Sequence, residues 1–77
     1  MKIHLEYGKF IKIDDYASGT DIEVPDNCTV RQLLVHLKLP AYLQKAVAVH
    51  VNGQSVWNAT VLKENDSVRV FRVVSGG

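Results

Sequence analysis

The sequence contains little cysteine or proline and no large excess of charge of one sign. Its 77 residues include one cysteine, Cys28, and two prolines, so no internal disulfide can form and folding does not depend on oxidation. Nine basic and eight acidic residues leave a net charge of +1, whereas phosphate binding needs a concentrated basic surface. This composition argues against nucleic acid as the main partner.

Long apolar runs are also missing. No stretch reaches the length of a membrane-spanning helix, and residues 1–6 carry charges where a signal peptide would be apolar. We therefore expect a protein of the cytoplasm that does not bind membranes. With 47% apolar residues, the composition is globular, but the chain is short for an enclosed substrate pocket. A self-contained enzyme is not expected.

Alternation of polar and apolar residues predicts strands, because every second residue of a strand faces the core. Alternation predicts strands over 2–7, 20–24 and 67–73. The β-prone run 46–51 predicts another strand, and 54–57 is predicted to return antiparallel to it. Asn52-Gly53 is typical of a tight hairpin turn. Lys9 to Ile13 alternates as well and fits either a hairpin partner or the edge of a loop. Val61-Leu62 is expected to form a short buried turn.

One helix is predicted after Thr29. Thr29 and Gln32 fit a capping box, in which both side chains bond free backbone amides. The apolar positions that follow are spaced i, i+3, i+4 and i+7, as one helical face requires: Val30, Leu33, Leu34 and Leu37. The pattern predicts about ten residues ending near Leu39, since Pro40 disfavours continuation, followed by a short crossing over 41–45.

The order of elements is thus β-β-α-β-β-β. An amphipathic helix and a one-sided sheet must bury their apolar faces against each other. The first and last strands alternate most strongly, which places them centrally and parallel. The arrangement favours an α+β protein of the β-grasp (ubiquitin-like) class, with a mixed sheet of four to five strands packed on one main helix. We expect residues 1–73 to form this domain and 74–77 a flexible tail.

The sequence shows no constellation of catalytic residues. His4, His36 and His50 are not spaced like metal ligands and are expected at the surface. Cys28 precedes the helix, where a thiol can be activated, but it has no evident base, so a structural role is favoured. Trp57 is expected as a semi-exposed sheet aromatic, with partner contact as the lesser alternative. No catalytic residue, metal site or bound cofactor is expected.

The carboxyl end differs from the rest of the chain. Phe71, Val73 and Val74 are apolar, and Ser75 leads into Gly76-Gly77. Two glycines carry no side chain, so a terminal carboxylate can enter a narrow active site in extended form. A carboxylate becomes reactive when it is converted to an acyl-adenylate with ATP. The sequence has no GxxxxGK[ST] loop for nucleotide binding, so another protein must supply that activity.

Three stretches, 48–54, 62–68 and 71–77, together with the 29–37 helix that follows Ile22-Glu23-Val24-Pro25, resemble the ThiS/MoaD family of sulfur carrier proteins. The resemblance implies a β-grasp carrier whose last glycine is adenylated and then converted to a thiocarboxylate. Gly77 would bear the adenylate and then the sulfur. Gly76 would provide the thin approach. The residues that would dock the tail on partners are Phe71, Val73, Val74 and Ser75.

The resemblance also implies the partners of this protein co-substrate, which is expected to be a monomer when free. One is a ubiquitin-activating-type adenylating enzyme (ThiF/MoeB-like) that uses ATP. The other is a sulfur-accepting synthase, either thiazole synthase or the large subunit of molybdopterin synthase. Arg72-Val73 stands where many MoaD-type tails have Pro-Pro, and Asn52-Gly53 is ThiS-like, which favours the thiamine (thiazole) branch. The extra residues between the first strands resemble MoaD proteins and keep molybdopterin open.

Two further alternatives share the fold. A ubiquitin-like modifier would end with Gly77 linked to a target lysine instead of bearing sulfur. A non-covalent β-grasp interaction module would keep its function without Gly76 and Gly77.

Overall fold

The computed structural model describes residues 1–73 of the chain. Within that range it contains five strands and two helices. In chain order these are β1 (Lys2–Tyr7), β2 (Thr20–Glu23), α1 (Val30–His36), α2 (Ala41–Gln44), β3 (Val47–Val51), β4 (Gln54–Ser55) and β5 (Ser67–Arg72).

The strands form one mixed sheet in the order β2-β1-β5-β3-β4. Strands β1 and β5 are central and parallel, with Leu5 opposite Val68 and Tyr7 opposite Val70, while the other pairs are antiparallel. The predicted central placement of the first and last strands is therefore confirmed. One helix-covered face on a five-stranded mixed sheet of this order is the β-grasp fold.

The core lies between one face of the sheet and α1. The sheet and the helix contribute residues of 5% exposure or less: Ile3, Leu5, Ile22, Val49, Val68, Val70, Val30, Leu33, Leu34 and Leu37. Full burial of an aliphatic side chain stabilises a fold by about 1.5–3 kcal/mol, and no polar or charged residue is buried among residues 1–73. Stability therefore rests on this apolar layer, and the opposite face of the sheet is left open.

The long connection between β1 and β2 covers one end of the core. Ile11 and Ile13 are buried, although residues 8–19 contain no strand. Both sides of β1 are already paired, with β2 and with β5, so no position remains for a hairpin partner. The alternation of Lys9 to Ile13 is thus that of a loop edge. The Tyr7 hydroxyl ties the loop down by donating to the Tyr16 carbonyl at 2.6 Å.

The capping box of α1 is confirmed, but the helix is shorter than predicted. The Gln32 amide donates to Thr29 Oγ1 at 3.2 Å, and the Thr29 amide donates to Gln32 Oε1 at 2.9 Å. The helix ends at His36 after seven residues, because Lys38 turns into the left-handed region with a φ of 60°. Ending the helix near Leu39 was therefore wrong.

The sequence predicts a plain crossing over residues 41–45, but this segment contains the short helix α2. Pro40 lies at its N-cap position with a φ of −63°, a value close to that of helical residues. Proline therefore precedes this helix and does not stop the preceding one. Leu43 is the residue of α2 that reaches the core.

The hairpin after β3 is confirmed, with a shorter return strand. Asn52 and Gly53 have φ values of 53° and 82°, as a turn with two left-handed residues requires. β4 ends at Ser55, so Trp57 lies beyond the sheet strand and is 84% exposed. The prediction that Trp57 is a semi-exposed aromatic of the sheet was therefore wrong.

The predicted buried turn at 61–62 is half correct. Leu62 is 2% exposed, but Val61 is 48% exposed and forms an isolated antiparallel bridge with Thr29. Successive residues of an extended segment face opposite sides, so only one of the two can reach the core.

In the described part of the chain, neither helix has the length and apolarity needed to cross a bilayer.

Candidate functional site

The carboxyl-terminal segment leaves the fold from the middle of the sheet. β5 is paired with β1 on one side and with β3 on the other. The Val73 amide still donates to the Ala46 carbonyl at 2.9 Å, so pairing continues one residue beyond the strand. Val73 is therefore held from the β3 side, beyond the point where pairing with β1 ends at Val70.

Phe71 forms an apolar contact point on the open face of the sheet. Val68 and Val70 face the core, so Phe71, the residue after Val70, faces the opposite side of the sheet. Its ring packs edge-on against His50, with centroids 4.9 Å apart and planes at 82°. Ala48 lies opposite it in register, and this small residue leaves the ring accessible.

Gly8 is the neighbour of Phe71 on the β1 side. The Gly8 amide donates to the Val70 carbonyl at 3.1 Å, and a Cβ placed on Gly8 would lie 3.9 Å from the Phe71 Cβ. A side chain at this position would therefore contact Phe71. We therefore define the docking surface as Phe71, Val73, Ala48 and Gly8, of which Val73 is 54% exposed.

The open face becomes polar away from this docking surface. Arg69 donates to the Glu6 carboxylate at 2.9 Å, and this hydrogen bond together with the charge of Arg69 lowers the pKa of Glu6. Both side chains are at least 40% exposed, so the pair adds little to stability. It separates two shallow hollows of the open face, one beside Phe71 and one beside His50.

The three histidines lie in separate environments. His4 Nδ1 is 2.9 Å from an Asp21 carboxylate oxygen, and His36 Nε2 is 3.0 Å from the Tyr16 hydroxyl, while His50 packs on Phe71. Within residues 1–73 no three His, Cys, Asp or Glu side chains are grouped as a metal ion would need.

Cys28 does not have the surroundings of a reactive thiol. Its side chain is 1% exposed, and this burial raises the pKa of the thiol. Activated cysteines have lowered pKa values and are accessible. Cys28 is therefore a small apolar residue of the core, as the sequence favoured.

Phe71 and Val73 lie together on the docking surface next to the end of β5, and their binding of a partner stays a prediction. The other predicted site residues, Val74, Ser75, Gly76 and Gly77, lie outside the described residues. Sequence reasoning missed Gly8 and Ala48, which flank Phe71. Gly8 was interpreted only as an interruption between strands, and no local pattern in the chain relates Ala48 to Phe71.

Comparisons with known proteins show which family and which solved structures the chain is similar to. The sequence profile of the ThiS family matches residues 7–77, and no curated protein matches the chain. Among solved structures, a putative molybdopterin converting factor subunit 1 from Pyrococcus furiosus has a TM-score of 0.72 and 26% identity, and the alignment covers 95% of this chain and 98% of that one.

Two further structures show the same fold at lower identity. SAMP1 from Haloferax volcanii has a TM-score of 0.69 and 18% identity, with both chains covered completely. A chain of the complex of subunits 1 and 2 of molybdopterin-converting factor from Helicobacter pylori 26695 has a TM-score of 0.62 and 21% identity, again with both chains covered completely. The profile match spans nearly the whole chain, and the β-grasp fold agrees with it: the protein belongs to the ThiS family, the ThiS/MoaD-type group of small sulfur carriers that are not themselves catalysts.

Proposed function

We propose that this protein is a sulfur carrier whose Gly77 carboxylate is the reacting group. A carboxylate oxygen attacks the α-phosphorus of ATP on a separate ubiquitin-activating-type enzyme, and pyrophosphate leaves. A sulfide equivalent then attacks the acyl carbon, AMP leaves, and the glycine becomes a thiocarboxylate. The family match extends through Gly77, which supports this assignment. We place the reaction in the cytoplasm.

The observation that carries the proposal is the position of β5. This central strand is hydrogen-bonded on both sides, through Val73 on the β3 side, and the four residues that follow end in Gly76-Gly77. Four residues span at most about 14 Å when fully extended. An active site that holds Gly77 must therefore lie within that distance of Val73, and its walls must reach the docking surface.

Two pathways can use the thiocarboxylate. We propose the thiazole of thiamine as the destination, with thiazole synthase as acceptor, because Arg72-Val73 stands where many MoaD-type tails have Pro-Pro and Asn52-Gly53 is ThiS-like. Molybdopterin is the second candidate, because the Pyrococcus furiosus structure at 26% identity is titled a putative molybdopterin converting factor subunit 1. The Helicobacter pylori structure is a complex of subunits 1 and 2 of that factor, so a large synthase subunit is the acceptor in this case.

Intact-protein mass spectrometry tests the carrier chemistry. The protein is incubated with a ThiF/MoeB-like enzyme, ATP and a sulfur source. We expect a mass gain equal to the replacement of one oxygen by one sulfur, and no gain for the protein lacking Gly77. An unchanged mass with several such enzymes, each active on its own carrier, contradicts the proposal and favours a non-covalent module. Recovery of Gly77 in an isopeptide bond to lysine favours a modifier.

The pathway is tested with the thiocarboxylate form once it has been made. We expect thiazole synthase to consume the sulfur, so that the carrier returns to its original mass in the presence of that enzyme and its other substrates. The large subunit of molybdopterin synthase with its precursor serves as the parallel reaction. Turnover only in that second reaction assigns the protein to molybdopterin.

A further inference from the structure

Part of β3 has no strand beside it. On one side, the Val73 amide donates to the Ala46 carbonyl and the Asn52 amide donates to the Ser67 carbonyl. The backbone N–H and C=O groups of the even-numbered residues in this stretch therefore point toward β5. Backbone groups alternate in direction along a strand. The N–H and C=O groups of Val47 and Val49 must therefore point to the other side of β3.

β4 occupies only the far end of that side. It pairs with His50 and Val51, and Val56 adds one hydrogen bond by donating to the Val49 carbonyl at 3.2 Å. Within residues 1–73, no backbone hydrogen bond reaches Val47 from this side. One donor and one acceptor of Val47 and the donor of Val49 thus form an open edge.

The open edge borders a shallow groove. Its walls contain no charged side chain: Val47, Ala48, Val49, Ser55, Val56, Trp57 and Asn58. Natural sheets protect exposed edges with charges, prolines or bulges, and the other outer strand, β2, carries the exposed Asp21 and Glu23. The β3 edge instead has Trp57 beside it, 84% exposed. The β3 edge thus lacks the charges that protect β2, and another strand can pair with it.

We propose that the open edge of β3 takes up an extended segment of the adenylating enzyme as an additional strand, with Trp57 packed against an apolar side chain of that segment. Strand addition satisfies free backbone groups on both partners, and the adjoining groove selects the side chains. The inference rests on the proposed function, since it names the partner of the same tail.

The position of the edge supports the adenylating enzyme as the occupant. Val47 pairs with Arg72, and Ala48 pairs with Phe71, so the edge lies one strand spacing, about 4.8 Å, from β5. An active site that takes up Gly77 must lie within the distance of about 14 Å that four extended residues can span from Val73. A protein that encloses Gly77 and covers the docking surface therefore also reaches the β3 edge through Ala48, which belongs to both surfaces.

Residue-resolved hydrogen exchange tests strand addition directly. The Val47 amide faces the open side, whereas the Ala48 amide faces β5. We expect exchange at Val47 to slow by about tenfold or more when the carrier is saturated with the enzyme, with Ala48 protected to the same degree in both states. Unchanged exchange at Val47 in the saturated complex overturns the inference. Protection that instead grows with carrier concentration, without enzyme, identifies a second copy as the occupant.

A pair of aromatic variants tests the groove. Trp57→Ala should raise the KM of adenylation about fivefold or more, with kcat unchanged and with no loss of stability because the side chain is exposed. Phe10→Ala is the matched control, because Phe10 is 76% exposed and follows Gly8, which is bonded to β5 from the β1 side. Equal effects of both variants overturn the proposal.

A backbone variant separates strand addition from side-chain docking. Val47→Pro removes the amide that faces the open side and leaves the β5 hydrogen bonds of Ala46 and Ala48 in place. We expect a higher KM for this variant, once circular dichroism shows the wild-type fold. If the wild-type carrier gains sulfur and both Val47→Pro and Trp57→Ala keep the wild-type KM, strand addition at the β3 edge is refuted and the proposed function stands. If the wild-type carrier is never adenylated, the proposed function itself is refuted.

Discussion

At the residue scale, His4 makes stability depend on pH. Its Nδ1 lies 2.9 Å from Asp21 on β2, and its Nε2 lies 3.7 Å from Glu6 on β1, while Ser67 faces it across β5. The hydrogen bond to Asp21 is the largest cause that raises the pKa of His4 above its ordinary 6.5, and desolvation opposes it.

Because the folded pKa is raised, the contribution of His4 is complete below its unfolded pKa and is lost as the pH rises through the folded pKa. We expect the free energy of unfolding, measured in urea between about pH 5 and pH 8, to fall with pH more for the wild type than for His4→Gln. The amino-terminal amine also has a raised pKa, and the comparison of the two proteins cancels its effect. Parallel curves would show that His4 is not responsible.

Leu34 is the residue at which burial should matter most visibly. Its side chain is 1% exposed within the layer between α1 and the sheet. Leu34→Ala removes buried methyl groups and leaves a cavity, so we expect a loss of roughly 2–5 kcal/mol in the free energy of unfolding. The neighbouring Val35 is 59% exposed, and Val35→Ala should change it by less than about 0.5 kcal/mol. Similar losses for both would place the helix face incorrectly.

At the element scale, the start of α1 is held by its cap and by a distant loop. Thr29 and Gln32 bond each other's backbone amides. The Val30 amide donates to the Thr60 carbonyl at 2.9 Å, and the Arg31 amide donates to the Asn58 carbonyl at 3.0 Å. The first free amides of the helix are thus shared between a local motif and residues some thirty positions away in the chain.

Thr29→Ala removes only the local part, so we expect a loss of about 1 kcal/mol, far less than unfolding of the helix. Thr29→Ser keeps the hydroxyl and serves as the matched control with near wild-type stability. Urea unfolding of the three proteins measures the difference. A loss in the serine variant equal to that of the alanine variant would show that the methyl group of Thr29, and not its hydroxyl, stabilises the fold.

At the scale of the whole molecule, the domain and the reacting group should be separable. Among residues 1–73 the buried side chains lie between Ile3 and Val70, and glycine has no side chain to pack. Deletion of Gly77 should abolish thiocarboxylate formation and shift the Tm by less than about 2 °C. Leu34→Ala should lower the Tm by roughly 10–30 °C and still gain sulfur at temperatures where it is folded. A large Tm loss in the deletion variant would contradict this separation.

Most of the fold could be predicted because its signals are local. Alternation with period two marks β1, β2 and β5, a β-prone run marks β3, the capping box marks the start of α1, and Asn52-Gly53 marks the hairpin. Where predictions were wrong, a single backbone angle or a long-range neighbour decided. The φ of 60° at Lys38 ended α1 early and made Pro40 the start of α2, although a proline after a helical pattern usually indicates an end.

The sequence by itself determined which residues face inward, because that property depends on neighbours two to four positions away. It also contained the Gly-Gly ending and the family pattern that indicate a sulfur carrier. Only the tertiary structure decided which edges remain free. β1 lies between β2 and β5, so Lys9 to Ile13 could form only a loop, and β4 ends at Ser55, so Val47 is unpaired on its outer side. Strand neighbours are set by the packing of segments far apart in the chain, and no local period records that choice.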